Sequence, residues 1–135
     1  MGNAFRVVLV DDDSDLRKLV KLTLEFTAGW EVTAAADGAA GIEAVREVQP
    51  DVAVVDIMMP GMDGYEVCRR LKEDPQTMAV PVVFLTARKE LDEAKAREIG
   101  AAGVVIKPFE PERLAEEVRE LVGRGGGASD GADSG

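Results

Sequence analysis

The chain has 135 residues, of which 46% are hydrophobic and 31% charged, and this balance predicts one compact, soluble domain with its own core. Its net charge of −10 argues against a nucleic-acid surface on this domain, because phosphate binding needs clustered Lys and Arg. The absence of histidine excludes Ser/His and Cys/His nucleophile pairs and the common His-containing zinc sites.

Neither a membrane span nor a disulfide is expected. No apolar run approaches the ~20 residues that a membrane-spanning helix needs, and the N-terminus MGNAFRVVLV lacks a basic segment followed by a cleavable apolar one. The single cysteine, Cys68, cannot form an internal disulfide and is interpreted as a small buried hydrophobe in a reducing compartment. We therefore expect a cytoplasmic protein.

Five short apolar runs, rich in Val, recur along the chain and predict β-strands, since they are too short for buried helices. They cover residues 5–10, 30–35, 51–56, 80–86 and 102–107. Residues 52–55, 82–85 and 104–106 are continuously apolar rather than alternating, which is typical of parallel strands covered on both faces.

Helical patterns occupy the intervals between the runs. The first helix follows the cluster DDDSD, and its apolar face comprises Leu16, Leu19, Val20, Thr23 and Leu24. Ile42, Val45 and Val48 mark the second helix. The third begins with a capping-box pattern, Asp63 followed by Glu66.

The last two helices differ in strength. The fourth, within KELDEAKAREIG, has a sparse apolar face of Leu91, Ala94 and Ile99 and is expected to be weakly anchored. The fifth begins near Pro111 and presents Leu114, Val118, Leu121 and Val122. We assign residues 1–122 to the domain and 123–135, rich in Gly, Ser and Asp, to a disordered end or the start of a linker.

Strand and helix alternate five times, which predicts a doubly wound α/β domain with a parallel sheet and helices on both faces. Ligands of such sheets bind outside the carboxyl ends of the strands. The residues expected there are Asp11 and Asp12 after the first strand, Asp56 ending the third, Thr86 ending the fourth and Lys107 ending the fifth.

Three carboxylates at one edge repel one another unless a cation lies among them. Oxygen ligands favour Mg²⁺, with Mn²⁺ as the alternative. The cluster DDDSD alone is explained equally well as a helix N-cap, but no cap explains Asp56. Lys107 offers an ammonium to an anion at the same edge, and its bond to Pro108 allows a cis peptide.

The motifs VDDD, VVDIMMPGMDG, LTA and KPF, in this order and spacing, resemble the receiver domain of two-component response regulators, the chemotaxis-regulator-like proteins. The resemblance covers residues 5–122. It implies a flavodoxin-like (βα)5 fold with strand order 2-1-3-4-5. It also implies a signalling phosphoacceptor rather than an enzyme, acting with a sensor histidine kinase or phosphotransfer protein.

The resemblance further implies residue roles. Asp56 would accept the phosphoryl group, while Asp11, Asp12, Asp56 and the backbone carbonyl of Met58 would hold Mg²⁺. Lys107 and Thr86 would contact phosphoryl oxygens. The face of the fourth helix, fifth strand and fifth helix would then change and control a partner or output domain.

Three positions set expectations for this chain in particular. Val104 stands where the family often has an aromatic switch residue. Met58 and Arg88 occupy the positions that tune dephosphorylation in the family, and the apolar Met58 predicts slow hydrolysis of the phosphoryl group. A homodimer through the fourth and fifth helices is left open, as are the kinase, the signal and the output.

Two other classes of protein fit the sequence less well. A phosphatase of the haloacid-dehalogenase type needs a second acid two residues after the nucleophile, where this chain has Met58. A flavin-binding module needs a Ser/Thr-rich phosphate loop after the first strand, where Asp11, Asp12 and Asp13 would repel the phosphate. A receiver-like scaffold that works without phosphorylation remains the alternative.

Overall fold

The computed structural model describes residues 4–87 and 93–125. Its five strands form one parallel sheet in the order β2-β1-β3-β4-β5, as expected. The strands are β1 (Arg6–Val10), β2 (Glu31–Ala35), β3 (Val52–Asp56), β4 (Val82–Thr86) and β5 (Gly103–Ile106). The helices are α1 (Ser14–Ala28), α2 (Gly38–Val48), α3 (Gly64–Glu73), α4 (Glu93–Glu98) and α5 (Pro111–Gly125).

Two apolar cores lie on the two faces of the sheet. Successive residues of a strand point to opposite faces, so Val8 and Val10 enter one core while Val7 and Leu9 enter the other. The first core packs against α2, α3 and α4 through residues that include Val45, Leu71 and Ala96. The second core packs against α1 and α5. Strands β3 and β4 are buried along their whole length.

The edge strand β5 departs from the prediction that its apolar run is covered on both faces. Val104 is only half-buried and Ile106 is 37% exposed. β5 pairs with β4 on one side only, and the described part of α4 is a short helix with Ala96 as its buried residue. An apolar run therefore identified the strand correctly but not its position at the edge.

Asx caps begin three of the helices. Asp13, Asp37 and Asp63 accept hydrogen bonds from backbone N–H groups in the first turns of α1, α2 and α3. Only half of the predicted capping box forms at α3, because the Glu66 side chain pairs with Arg69 and Arg70 instead. None of the helices in the described residues is long and apolar enough to cross a membrane.

One helix prediction needs correction, and the last helix extends past the predicted end of the domain. The sequence predicts Leu19 on the buried face of α1, yet it is 47% exposed and lies in line with Leu22 and Phe26 on the outer face. Val20 and Leu24 are the buried residues of this helix. α5 continues to Gly125, three residues past the predicted boundary at Val122. Leu91, expected on the fourth helix, and residues 126–135 of the predicted tail lie outside the described residues.

Candidate functional site

Four strands bring the predicted site residues to one edge of the sheet. Asp56 and Thr86 are the last residues of β3 and β4, while Asp11 and Lys107 directly follow β1 and β5. The parallel register aligns these ends, pairing Val10 with Val55 and Thr86 with Ile106. Strand order places β1 beside β3, which is the point where the chain reverses its direction of winding.

The acidic cluster after β1 divides into two functions. Asp13 is the N-cap of α1, and its Oδ1 accepts hydrogen bonds from the N–H groups of Asp15 and Leu16. Asp11 and Asp12 instead join Asp56, and one carboxylate oxygen from each of the three lies within 4.8 Å of the others. The capping interpretation of the sequence is therefore confirmed for Asp13, while metal binding by Asp11 and Asp12 stays a prediction that their position beside Asp56 allows.

Lys107 is the counter-charge of this group. Its Nζ lies 3.6 Å from Asp11 Oδ2 and 3.6 Å from Asp56 Oδ2. Asp11 Oδ1 accepts a hydrogen bond from Asp13 N at 2.9 Å, whereas Asp11 Oδ2 is buried and accepts none. One ammonium among three carboxylates leaves an excess of negative charge in a partly desolvated space.

The excess of negative charge affects the pKa of the Asp56 carboxyl group. Burial and, after it, the negative charge of Asp11 raise the pKa of this carboxyl group to about 6, against the opposing effects of Lys107 and the Met58 N–H. The Met58 N–H donates to Asp56 Oδ1 at 3.2 Å. The carboxylate is thus oriented by its own turn while the surroundings disfavour its charge.

These features fit a hard divalent cation. The donor set is carboxylate oxygen, Asp11 Oδ2 is a buried acceptor without a hydrogen bond, and a cation would relieve the repulsion that raises the pKa of Asp56. Asp11, Asp12 and Asp56 could hold Mg²⁺. The carbonyl of Met58 follows Asp56 closely in the chain, and its predicted part in the ligand set stays a prediction.

Thr86 and Lys107 are linked through the backbone, since Lys107 N donates to the Thr86 carbonyl at 2.7 Å. Thr86 is fully buried. The peptide bond between Lys107 and Pro108 is cis. Both residues therefore stand at the predicted edge, with the Lys107 head group reaching the carboxylates.

The positions expected to tune this site differ in how far they are described. The side chain of Met58 is 56% exposed beside Asp56, whereas Met59, the next residue, is buried. Val104 is half-buried and packs against the first core. Arg88 lies outside the described residues.

Sequence reasoning missed two contributors. A Cβ atom added to Gly64 would lie 2.6 Å from the Asp56 carbonyl oxygen and 2.7 Å from Ile57 Cα, so the start of α3 packs directly on the backbone of the phosphoacceptor candidate. Arg17 donates from Nη1 to the Asp11 carbonyl at 2.8 Å. The glycine directly after the Asp63 cap was a signal for the first contact, but no pattern pointed to the second.

The comparisons with known proteins agree with this geometry. The family model of the response regulator receiver domain matches residues 7–119. The chain is 39% identical over 130 residues to the transcriptional regulatory protein CseB of Streptomyces avermitilis, covering 96% of this chain and 54% of that protein. It is 38% identical over 120 residues to the DNA-binding dual master transcriptional regulator RpaA of Synechocystis, covering 88% and 49%. The chain spans about half the length of these curated relatives.

Solved structures give the same result. The chemotaxis protein CheY4 of Vibrio cholerae superposes with a TM-score of 0.81 at 31% identity, covering 88% of this chain and 99% of that one. A putative response regulator from Chloroflexus aurantiacus superposes with a TM-score of 0.80 at 32% identity, covering 89% and 98%. With its sheet order, its acidic edge and these matches, the chain belongs to the receiver domain family of two-component response regulators.

Proposed function

We propose that Asp56 accepts a phosphoryl group from a phosphohistidine on a sensor histidine kinase or phosphotransfer protein, in a Mg²⁺-dependent reaction. The single observation that carries the proposal is the position of this carboxylate. It ends a fully buried strand, yet it lies within reach of two further carboxylates and an ammonium. A structural role for such a group would leave the charge excess unexplained.

The chemistry follows from the charges. A carboxylate oxygen of Asp56 forms a bond to phosphorus as the bond from phosphorus to the donor imidazole nitrogen breaks, and the nitrogen keeps the electron pair. Lys107 binds a phosphoryl oxygen, and the Thr86 hydroxyl donates to another. Bound Mg²⁺ would neutralise charge on the transferring group. The missing histidine is then supplied by the partner.

Loss of the phosphoryl group is proposed to be slow. Hydrolysis needs a water in line with the bond between phosphorus and Asp56, and a polar side chain two residues further on could orient that water. Met58 presents a thioether side chain there, with 56% of its surface exposed. Thioether sulfur is only a weak hydrogen-bond acceptor, so it orients water poorly.

The readout is proposed to pass from Thr86 to the face formed by α4, β5 and α5. The backbone N–H of Lys107 donates to the Thr86 carbonyl, so a displacement of Thr86 would be transmitted to the backbone of Lys107. Val104 offers no aromatic ring to turn inward, and the readout in this chain is expected to rest on Thr86 and the packing of β5. A partner protein or an output domain would receive it, and a homodimer through this face is one form of that output.

The donor surface is proposed to lie on α1. Leu19, Leu22 and Phe26 are 47%, 64% and 92% exposed and, at spacings of three and four, share one face of the helix. This stripe adjoins an apolar depression whose lining includes Leu19, Phe109 and Lys107. Because Lys107 also contacts Asp56, a helix lying on the stripe would be adjacent to the phosphoacceptor.

Phosphorylation by a small donor tests the proposal. Incubation with Mg²⁺ and acetyl phosphate is expected to add the mass of one phosphoryl group to the intact protein. The gain should vanish in Asp56→Asn and in EDTA, but persist in Asp51→Asn, which changes the same residue type beside the opposite end of β3. No gain from acetyl phosphate or any kinase would favour the alternative, a receiver-like scaffold that works without phosphorylation.

The remaining expectations belong to the same proposal. The domain is a phosphoacceptor that promotes its own phosphorylation and dephosphorylation rather than an enzyme acting on other substrates. It would act in the cytoplasm without contacting nucleic acid itself, since its net charge is −10. Residues 1–122 would form the receiver and 123–135 a tail or linker. DNA binding, named for several relatives, would then require a further domain.

A further inference from the structure

Arg17 connects α1 to the loop that carries the acidic residues. It lies half-buried in the first turns of the helix, and its Nη1 donates to the Asp11 carbonyl at 2.8 Å. Its own N–H donates to the Asp13 carbonyl at 2.9 Å, which continues the helix back to its cap. The guanidinium therefore bridges the start of α1 and the residue that follows β1.

Asp11 is held at three of its four polar positions. Its N–H donates to the Ala35 carbonyl at 3.1 Å, its Oδ1 accepts from Asp13 N at 2.9 Å, and its carbonyl accepts from Arg17. Ala35 and Asp13 use backbone groups here, which almost any residue would supply. The contact from Arg17 is a side-chain contact, so the sequence at position 17 decides whether it exists.

The contact between Arg17 and the Asp11 carbonyl affects metal affinity because the carboxylates on this loop and Asp56 repel one another. Oxygens of Asp11, Asp12 and Asp56 lie within 4.8 Å of one another, and repulsion favours any movement of the loop that separates them. A tether on the Asp11 carbonyl opposes that movement. Without this contact, the carboxylates would have to be brought together when the cation binds. The free energy needed to order them would weaken cation binding.

We propose that Arg17 is a positioning residue of the metal site, which holds Asp11 and Asp12 in place through the Asp11 carbonyl and thereby sets the affinity for Mg²⁺. The inference rests on the metal site of the proposed function. Arg17 acts on the backbone of a ligand residue, so its effect falls at the lower end of the range for groups that support metal ligands.

Lys18 provides a matched control. It is the next residue of α1, carries the same charge and is exposed. Removing its charge reproduces the general electrostatic effect of losing a cation near the acidic edge, without removing a tether on the loop. A difference between the two positions therefore reports the contact rather than the charge.

The test is a calorimetric Mg²⁺ titration of the whole 135-residue chain, with thermal unfolding in EDTA as a second readout. Arg17→Met and Arg17→Gln are expected to weaken Mg²⁺ binding about tenfold. Arg17→Lys, whose ammonium can still reach a nearby carbonyl, should recover part of the loss. Lys18→Met should stay within about twofold of the wild type because an exposed charge is screened.

Three results would overturn the inference. One is wild-type Mg²⁺ affinity in Arg17→Met with a lowered unfolding temperature in EDTA, which would make Arg17 a purely structural contact. If Arg17→Met does not fold, the same result in Arg17→Gln has the same meaning. The second is equal weakening by Lys18→Met. The third is a folded wild type that binds no Mg²⁺ at millimolar concentrations, which overturns the proposed metal site together with the inference.

Discussion

Asp56 experiences two opposing demands. Its strand needs burial to be rigid, and the residue is only 4% exposed, while its proposed chemistry needs a charged oxygen. The structure resolves the conflict only partly, because Lys107 and the Met58 N–H stabilise the charge less than burial and Asp11 disfavour it. The metal-free protein therefore carries a destabilising charge at neutral pH.

A pH-dependent gain in stability is expected for Asp56→Asn. The pKa of Asp56 is raised from 3.8 to about 6, so the native state binds more protons than the unfolded state between these values. The stabilising contribution of the protonated Asp56 carboxyl group is then fully present below about pH 4, and it is lost as the pH rises through 6. In EDTA at pH 7, the Asn variant should be more stable by up to about 3 kcal/mol.

Thermal unfolding of both proteins in EDTA between pH 4 and 8 measures this difference. The advantage of the variant should shrink toward zero as the pH falls to about 4. Saturating Mg²⁺ should reverse the order, because the variant lacks one carboxylate ligand. A variant less stable than the wild type at pH 7 in EDTA would contradict the assignment of charge excess to this edge.

Met58 is expected to control the lifetime of the phosphorylated state. Met58→Asn should release phosphate several-fold faster, because an amide can orient the attacking water. Met58→Leu, which is apolar and of similar volume, should match the wild type. Phosphate release after removal of acetyl phosphate measures all three, and a slower Asn variant would refute the prediction.

At the scale of elements, the turn between β3 and α3 is the most constrained part of the site. Gly64 begins α3 against the Asp56 carbonyl, and a side chain there would press on backbone atoms that cannot rotate away. The start of α3 thus holds the end of β3 in place. The turn that follows Asp56 is consequently rigid rather than loose.

Gly64→Ala is therefore expected to destabilise the domain by roughly 1–3 kcal/mol, which is the usual cost of overpacking. It should also slow phosphorylation by displacing Asp56. Gly123→Ala is the matched control, since a Cβ there meets nothing within 4 Å and α5 gains up to about 1 kcal/mol in helix propensity. Urea unfolding of both variants would show opposite changes; a neutral Gly64→Ala would mean that the backbone yields easily.

The stripe on α1 gives a prediction about partner choice. Leu22→Ser and Phe26→Ser should slow transfer from a histidine kinase that phosphorylates the wild type, while leaving the rate with acetyl phosphate unchanged. Both residues are exposed, so stability should change by no more than about 0.5 kcal/mol. Met78→Ser, at a similarly exposed residue in the turn after α3, should leave both rates unchanged. Equal slowing with both donors would place the effect in the site itself.

The elements also show how far sequence could lead. Val-rich runs predicted all five strands, and their carboxyl ends predicted Asp11, Asp56 and Lys107 at one edge, because parallel strands align their ends. The exposure of Ile106 could not be predicted, since an edge strand and a central strand share the same apolar run. The contact from Arg17 depends on the course of a loop that no periodicity encodes.

At the scale of the whole molecule, the sheet is shared by both cores. Neighbouring residues of each central strand enter opposite faces, so neither core can lose its packing without disturbing the strands that support the other. Tyr65 packs edge-on against Phe84 in the first core, and Trp30 packs against Phe5 in the second. The two aromatic pairs are natural reporters of the two sides.

One cooperative unfolding transition is therefore expected, with coincident midpoints from Trp30 fluorescence and from the near-ultraviolet signal of Tyr65. Far-ultraviolet circular dichroism should give the same midpoint in urea. Trp30→Phe, which removes the only tryptophan, isolates the tyrosine signal and serves as the control. Separate midpoints would mean that the two layers fold independently.

The distribution of the site over β1, β3, β4 and β5 has a consequence for the newly made protein. Lys107 lies 96 residues after Asp11 in the sequence, and the two meet only when the last strand has joined the sheet. A chain still emerging from the ribosome contains Asp56 long before it contains the ammonium of Lys107. The proposed phosphotransfer site is therefore complete only late in synthesis, after β5 has joined the sheet.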